Sequence, residues 1–372
     1  MLSRISTRAY SGAAHGIKIN AKGGSTELSS LTLRVNNAGS KEGKSGVAHL
    51  LAKHSFLNTE PKSALRFTRE AELLGALFSS NVTRDAIVLK TQFLKEDLPY
   101  FVEALGNVLT KTSFRPYELP EIVLPAAKEE YDAAHADNAF TALESLHELS
   151  FRKGLGHPLY YDGSSNVTAD DLQEFAAKVY TSENVSLHAL GVDQDDLSLF
   201  VGESALSSLP TGSTASPSVS FHVGKESRIR ATGKSAALIG VPVKPADFGK
   251  YEILSAAVGS AFLPGAETPL SKIPGATSQL YKYQDAGLFV VSVTGSASDV
   301  TSGIKAAKKV LQSVSSSSLS DATKAAKLAV ALQSTYDSIA DVQIGSSSPV
   351  KFDSFNYVAI GNVDVLPYAD EL

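Results

Sequence analysis

The chain has 372 residues, of which 43% are hydrophobic and 20% charged, a composition typical of a globular protein with a buried core. A formal net charge of -5 supplies no overall positive field that would attract nucleic acid. The absence of cysteine excludes disulfides, thiolate metal sites and a cysteine nucleophile. The longest apolar runs, 236–243 and 286–293, are far shorter than the roughly 20 residues of a bilayer-spanning helix.

The N-terminal segment "MLSRISTRAYSGAAHGIKINAKGG" differs from the rest of the chain. It is basic and rich in serine and alanine, and no acidic residue precedes Glu27. This pattern is typical of a mitochondrial targeting peptide. Arg8 stands at the third position before a cut after Tyr10, as in the matrix cleavage pattern. We therefore assign residues 1–16 to a targeting peptide and leader; a disordered, slightly basic tail is the alternative.

Helical and strand patterns alternate along the first half of the chain. Apolar and polar residues alternate in "SLTLRV", which predicts a strand-like opening over residues 17–35. Pro99 falls in the first turn of its predicted helix, a position that proline favours, and Pro120 and Pro125 mark turns or kinks. The patterns predict helices from about Ser45, over 63–80, 95–114, 118–151 and 168–180, and strands over 83–94 and 184–191.

The run "ALSSLPTGSTASPSVS" (205–220) is rich in Ser, Thr, Pro and Gly and predicts an exposed linker. It separates an N-terminal domain, 17–204, from a C-terminal domain, 221–372. The second half repeats the first: residues 84–109 resemble 285–311, and residues 183–197 resemble 355–368. Two copies of one strand-and-helix domain, with helices grouped between hairpin-like strands, predict an α+β fold rather than a doubly wound parallel sheet.

The stretch "GVAHLLAKHSF" (46–56) places two histidines and a lysine in an apolar helix. His49 and Lys53 are four residues apart and share a face, whereas His54 lies about 140° around the helix from His49. A catalytic zinc helix needs two imidazoles on one face and a carboxylate that activates water. Lys53 has no lone pair at neutral pH, and Ala52 accepts no proton. These residues favour a core helix with a hydrogen-bonded His49 and with Lys53 extended toward solvent.

The longer run "GVAHLLAKHSFLNT" resembles the signature helix of the pitrilysin and mitochondrial processing peptidase family, which carries the inverted zinc motif His-x-x-Glu-His. By this resemblance, His49 matches the first zinc histidine, Ala52 the catalytic glutamate and Lys53 the second histidine. The family's spacing onward from Lys53 places the third ligand, a glutamate, at Glu129. One imidazole and one distant carboxylate hold no catalytic zinc, so the resemblance implies a degenerate motif without catalytic or metal-binding residues.

Two further segments, "SFRKGLGHPLYYDG" (150–163) and "YQDAGLFVVSV" (283–293), resemble family segments in the same order. The family consists of two homologous α/β-roll domains, so the resemblance implies that fold for this chain in an inactive, metallopeptidase-like form. Within the family, the short chain and its ending "FNYVAIGNVDVLPYADEL" are similar to fungal core subunits of the ubiquinol–cytochrome c reductase complex (cytochrome b-c1, complex III).

This resemblance implies a structural role on the matrix side of the mitochondrial inner membrane, as a peripheral subunit. The implied partners in a dimeric complex are a second core subunit of the same fold, cytochrome b, cytochrome c1, the Rieske protein and small subunits. Haem and the iron–sulfur cluster are then expected in those partners, and this chain is expected to bind no cofactor.

The alternative is a non-catalytic, substrate-binding alpha-type subunit of the mitochondrial processing peptidase. Such subunits depend on a long glycine-rich loop in the second half. The corresponding region here, 261–278, contains only Gly265 and Gly275, and its prolines stiffen it.

Overall fold

The computed structural model describes residues 9–24, 26–214, 218–263, 265–334, 342–344, 352 and 354–372. The chain divides into two compact units. The first comprises Met1–Tyr131 and Pro158–Pro217, and the second Asp132–His157 and Ser218–Leu372. Within the described residues, no helix is long and apolar enough to cross a membrane.

The first unit is built on a six-stranded sheet with the strand order β1-β2-β6-β3-β5-β4. All neighbours are antiparallel except β2 and β6, which are parallel. Its strands are β1 (Ala9–Ala14), β2 (Ile17–Lys22), β3 (Leu28–Asn36), β4 (Leu77–Val82), β5 (Ala86–Leu94) and β6 (Val185–Leu190). Its helices are α1 (Val47–His54), α2 (Ala64–Leu73), α3 (Leu98–Thr110), most of α4 (Leu124–His135), α6 (Ala169–Val179) and α7 (Gln194–Glu203).

The second unit is built on a five-stranded sheet with the order β7-β11-β8-β10-β9. Its first and last strands, β7 and β11, are again the parallel pair. Its elements are α5 (Asn138–Phe151), β7 (Glu226–Arg230), β8 (Ser235–Val243), α8 (Phe248–Val258), β9 (Ala276–Lys282), β10 (Gly287–Gly295), α9 (Ala297–Ser313), α10 (Ser316–Ser334) and β11 (Asn356–Gly361). Because β7-β11-β8-β10-β9 has the same order as β2-β6-β3-β5-β4, the predicted α+β architecture with an internal repeat is confirmed.

The main core of the first unit lies between one face of its sheet and helices α1 and α3. Alternate residues of β3, including Leu31 and Leu33, point into this core and are fully buried, as expected for a sheet with one packed face. Leu50 of α1 and Phe101 of α3 belong to the same buried cluster. This packing fixes the helix that carries the candidate motif against the sheet.

Helix α5 belongs to the second unit, although the sequence pattern predicted a single N-terminal domain over 17–204. Its apolar residues Leu146 and Phe151 are fully buried among residues of β8, β10 and β11. Gly240 of β8 has no side chain, which leaves room for Leu146; a Cβ there would lie 2.5 Å from a Leu146 methyl carbon. Burial of the α5 face therefore ties residues 132–157 to the second sheet.

The helix predicted over residues 63–80 is wrong in its second half. Helix α2 ends at Leu73, and Gly75 adopts a left-handed backbone with φ of 64°. The N–H of Ala76 donates to the Ala71 carbonyl and that of Gly75 to the Glu72 carbonyl, which is a Schellman motif. The chain then continues as β4. Leu65, Leu73 and Leu77 of this segment are exposed.

The continuous helix predicted over 118–151 is also divided. A π-helical segment, Leu119–Val123, leads into α4, which ends at His135. A new helix, α5, then begins at Asn138. There Asp137 accepts a hydrogen bond from the N–H of Ala139 and caps α5. Helix α6 begins with Thr168 as its N-cap, in a capping box in which Thr168 and Asp171 exchange hydrogen bonds.

The predicted linker and leader each overlap ordered structure. Within 205–220, Leu206 and Leu209 are buried, and Thr214 hydrogen-bonds to Asn184, so this segment is not wholly exposed. In the predicted leader, residues 1–8 lie outside the described part of the chain. Strand β1 pairs with β2, and the predicted cut after Tyr10 falls within β1. Cleavage stays a prediction.

Candidate functional site

The candidate motif lies on α1, a helix enclosed by the core on most sides. Every residue from Val47 to His54 is buried except Lys53. Burial around most of the circumference of a helix is what such an apolar sequence predicts. The polar side chains of α1 must therefore find partners inside the protein.

His49 is hydrogen-bonded through both ring nitrogens. Its side chain is only 1% exposed, and its Nε2 lies 2.8 Å from Oε2 of Glu130. The backbone N–H of Tyr161 donates to Nδ1 at 3.0 Å. Because Nδ1 accepts this hydrogen bond, it carries no hydrogen of its own. The ring proton of His49 is therefore on Nε2, which faces Glu130. The His49 ring also packs against Tyr160, with centroids 4.9 Å apart.

Lys53 shares the carboxylate of Glu130 with His49. Its ammonium nitrogen lies 2.5 Å from the same Oε2 atom, and the two side chains are 26% and 28% exposed. The prediction that His49 is hydrogen-bonded is confirmed, whereas Lys53 forms this ion pair instead of simply extending into solvent. Glu129, the position obtained by counting, is exposed. The carboxylate facing the motif is that of the next residue, Glu130.

Ala52 lies at the motif position that the family fills with a glutamate. It is part of the hydrophobic core, and its carbonyl accepts a hydrogen bond from the Ser80 hydroxyl of β4. A methyl group at this position supplies no proton acceptor. The helix therefore has no general base where hydrolysis would require one.

His54, on the other side of α1, binds a different carboxylate. Its Nε2 lies 3.1 Å from Oε2 of Glu118, whose side chain is 0% exposed. Burial lowers the pKa of His54, and the nearby Glu118 carboxylate acts in the opposite direction. The ring stacks on Phe114 with centroids 4.7 Å apart. This confirms that the two histidines diverge, so His54 supplies no ligand to the Glu130 cluster.

The cluster of His49, Lys53 and Glu130 does not fit a zinc ion. Zinc needs an unprotonated ring nitrogen, but the nitrogen of His49 that faces the carboxylate carries the proton. The Lys53 ammonium already supplies the positive charge that a metal would bring. Among the described residues, no group of three or more His, Cys, Asp or Glu residues could hold a metal ion. The geometry is that of an internal ion cluster.

Glu130 makes the stability of this cluster depend on pH. Its partial burial raises the pKa, but hydrogen bonds from His49 and Lys53 and the charge of Lys53 outweigh burial and bring the pKa to about 2. An ordinary glutamate has a pKa of about 4.3 in the unfolded chain. The carboxylate therefore stabilises the fold above the unfolded pKa, and this stabilisation disappears as the pH falls toward 2.

We expect Glu130→Gln to destabilise the chain by about 2 kcal/mol at pH 7, with the difference from wild type shrinking below about pH 4.5. Thermal unfolding of both proteins at pH 7, 5 and 3 measures this difference. Glu129→Gln, on the exposed side of the same helix, serves as the matched control and is expected to change little at any pH. A difference for Glu130→Gln that does not vary with pH would contradict the assignment.

Lys53→His tests whether only a missing imidazole prevents zinc binding. We expect the purified variant to retain no stoichiometric zinc after desalting, because the Tyr161 N–H keeps the His49 proton on the nitrogen that zinc would need. Metal analysis by mass spectrometry is the measurement, with Lys53→Gln as the control for non-specific metal. One equivalent of zinc in Lys53→His alone would show that the tautomer of His49 is not a barrier.

Comparison with known proteins agrees with the fold and with the motif. Residues 21–163 match the family model described as insulinase (peptidase family M16), and residues 166–325 match the model described as peptidase M16 inactive domain. The fold is also similar to the crystal structure of a peptidase M16 inactive domain from Pseudomonas fluorescens. That likeness has a TM-score of 0.77 at 16% identity and covers 95% of this chain and 98% of the other.

Curated relatives extend over the whole chain. A protein of Debaryomyces hansenii named cytochrome b-c1 complex subunit 2, mitochondrial, is 64% identical and covers 100% of both chains. The protein of the same name from Saccharomyces cerevisiae is 38% identical and also covers 100% of both. Two M16 domain matches in series and full-length similarity to these proteins lead to one assignment: the chain belongs to the peptidase M16 family, in the group of relatives named cytochrome b-c1 complex subunit 2.

Proposed function

We propose that this chain is a non-catalytic structural core subunit of the mitochondrial ubiquinol–cytochrome c reductase complex, where it supports assembly and stability. The observation that carries the proposal is the Lys53 ammonium on Glu130, at the position where a peptidase of this family would hold its metal. Ala52 removes the base and Lys53 replaces a ligand. The full-length relatives named as subunits of the cytochrome b-c1 complex support the same role.

The proposal extends to partners and location. The chain pairs with a second core subunit of the same fold in a dimeric complex that contains cytochrome b, cytochrome c1, the Rieske protein and small subunits. It lies on the matrix side of the inner membrane as a peripheral subunit. Haem and the iron–sulfur cluster belong to the partners; the absence of cysteine in this chain agrees with an iron–sulfur cluster held elsewhere.

The second candidate function is that of an alpha-type subunit of the processing peptidase. One observation favours it: a mitochondrial-processing peptidase subunit alpha from Solanum tuberosum is 27% identical over 222 residues, 59% of this chain and 44% of that protein. The match is shorter and weaker than the full-length matches to the subunit 2 relatives. We therefore place it second.

A deletion strain distinguishes the two functions. We expect loss of ubiquinol–cytochrome c reductase activity in isolated mitochondria, with precursor processing at the wild-type rate. Reductase activity is followed by cytochrome c reduction, and processing by cleavage of an imported radiolabelled precursor. Normal reductase activity with lost processing would reverse the assignment.

Complementation then tests whether the residual motif performs any chemistry. The combined variant His49→Gln, Lys53→Met, Glu130→Gln replaces all the polar groups of the cluster together, which costs far less stability than stranding one buried charge. We expect it to restore reductase activity fully in the deletion strain. A variant that accumulates and melts like wild type but does not restore activity would mean that the cluster has a function beyond structure.

A further inference from the structure

The second sheet has an open edge at β7. In the first unit, the corresponding strand β2 is paired on both sides, with β6 and with β1. Strand β7 pairs with β11 alone, and within the described residues no strand lies on its other side. Every residue of β11 is buried, whereas each residue of β7 is exposed or half-buried. The second sheet is therefore accessible at the place where β1 covers the first.

The backbone of β7 determines which groups an added strand would meet. The N–H of Tyr357 in β11 donates to the Lys225 carbonyl, so Lys225 and every second residue after it face β11. The backbone groups of the residues between them point to the opposite side of the strand. The N–H and C=O groups of Glu226, Arg228 and Arg230 therefore point outward, and in the described part of the chain they have no hydrogen-bond partner.

The charges on this edge are self-complementary. Unpaired backbone groups are a template for another strand, and charged side chains usually oppose such pairing. If two copies of β7 run antiparallel about Arg228, however, Glu226 of each copy lies directly opposite Arg230 of the other. In this register the outward-facing residues pair only with one another, and each pair exchanges both of its N–H···O bonds. The order of charges thus favours one particular partner strand, that of a second copy.

The side chains at the two ends of this pairing can reach across it. Glu226 has only contacts of 3.3 Å within its own chain, to Arg228 and to the N–H of Ala369. The Arg230 guanidinium binds Asp364 at 2.7 and 2.8 Å, but both side chains are about two-thirds exposed. Because arginine has five N–H donors, Arg230 keeps donors for a second carboxylate.

The centre of the pairing brings two positive charges near each other, and the fold compensates for this. The Arg228 guanidinium donates to the carbonyls of Leu366 and Pro367 in its own chain. Its side chain is only 16% exposed. Each of the two central charges is therefore held by carbonyl oxygens of its own chain.

From the open edge, the outward backbone groups and the order of charges, we propose that β7 pairs with β7 of a second copy of this chain, antiparallel about a two-fold axis. The two five-stranded sheets then form one continuous sheet across that axis. Two-fold contacts of this kind are the commonest in homo-oligomers. So short a strand buries less than the roughly 1,200 Å² of a stable complex, so the dimer of the isolated chain is weak. The inference does not depend on the proposed function.

Sedimentation equilibrium of the purified full chain tests the proposal. We expect the apparent mass to rise with concentration from that of a monomer toward that of a dimer. Glu226→Arg and Arg230→Glu each place like charges opposite one another at both ends, and each should weaken the dimer about tenfold. Glu267→Arg and Lys309→Glu, at exposed positions elsewhere in the second unit, make the same charge changes away from β7 and should leave it unchanged.

Mixing the two edge variants keeps the test independent of folding. Glu226→Arg and Arg230→Glu each dimerise poorly alone, but their equimolar mixture should form a heterodimer, because the positive edge of one then faces the negative edge of the other. A dimer that both variants keep at wild-type strength, or a mixture that restores nothing, would overturn the proposal. So would a wild-type chain that stays monomeric at every concentration. Protection of the edge amides from hydrogen exchange in the native assembly would then assign the edge to a strand of a different protein.

Discussion

Replacing Glu118 by alanine is expected to destabilise the first unit by about 3–5 kcal/mol, the cost of removing one partner from a buried charged network. The Glu118 carboxylate is fully buried and accepts hydrogen bonds from the backbone N–H of Arg115 at 2.8 Å and from the Asn58 amide at 2.6 Å. It also faces Nε2 of His54. Alanine would leave the buried residues Asn58 and His54 without this acceptor.

Thermal unfolding of the full chain measures this effect, and a fall of roughly 10 °C in the midpoint of the first unit is expected for this size of domain. Glu118→Gln should lose less stability than Glu118→Ala, because its amide keeps one acceptor oxygen. It should still be less stable than wild type, because its NH₂ group faces other hydrogen-bond donors. Glu129→Ala, at an exposed position, is the control and should change the midpoint little. If Glu118→Ala melts within a degree or two of that control, the network contributes little to stability.

Gly39→Ala is expected to destabilise the first unit by more than about 3 kcal/mol. A Cβ at Gly39 would lie 2.2 Å from the Arg84 carbonyl carbon and 2.4 Å from the Asp85 nitrogen. Both are backbone atoms, so no side-chain rotation relieves the overlap. The overlap would displace the loop that contains Gly39. The same loop carries Lys41, whose ammonium forms a buried ion pair with Asp85 at 2.8 Å.

Gly75→Ala is the matched control, because it isolates the conformational cost from the steric one. Gly75 has a left-handed backbone, but a Cβ there would meet no atom within 4 Å. Its expected cost is about 1–2 kcal/mol, the ordinary penalty for an L-residue in that conformation. Urea unfolding of the two variants gives the order. A larger loss for Gly75→Ala than for Gly39→Ala would refute the steric argument.

The architecture could be predicted from the sequence because it is encoded in two visible patterns, the local alternation of apolar residues and the repeat between the two halves. Apolar alternation identifies the buried strands, and the similarity of residues 84–109 to 285–311 reflects equivalent elements in the two sheets. The failures have local causes too. The leucines of the segment 63–80 suggested one amphipathic helix, but Gly75 ends α2 with a Schellman motif. Gly75 could have indicated the end of the helix from the sequence alone, since glycine is common immediately after a helix end.

The displacement of the predicted carboxylate from Glu129 to Glu130 has a similar explanation. Neighbouring residues on a helix point about 100° apart, so an error of one position exchanges an inward side chain for an exposed one. Val123 and Ala127 are fully buried, and Glu130 continues their i, i+4, i+7 series. The periodicity of buried positions in this helix therefore identifies the inward-facing carboxylate better than the family's spacing from Lys53 does. The tautomer of His49 could not be predicted, because it depends on the N–H of Tyr161, which is distant in sequence.

Both sheets share an arrangement with a consequence for how the chain reaches its native state. In each, the final strand inserts between two earlier strands instead of adding to an edge: β6 lies between β2 and β3, and β11 lies between β7 and β8. Until that strand arrives, β2 and β3, or β7 and β8, expose unpaired backbone groups to each other and to other chains. Each half therefore completes its sheet only after its last strand has emerged, and a nascent or incompletely imported chain presents an open, aggregation-prone gap.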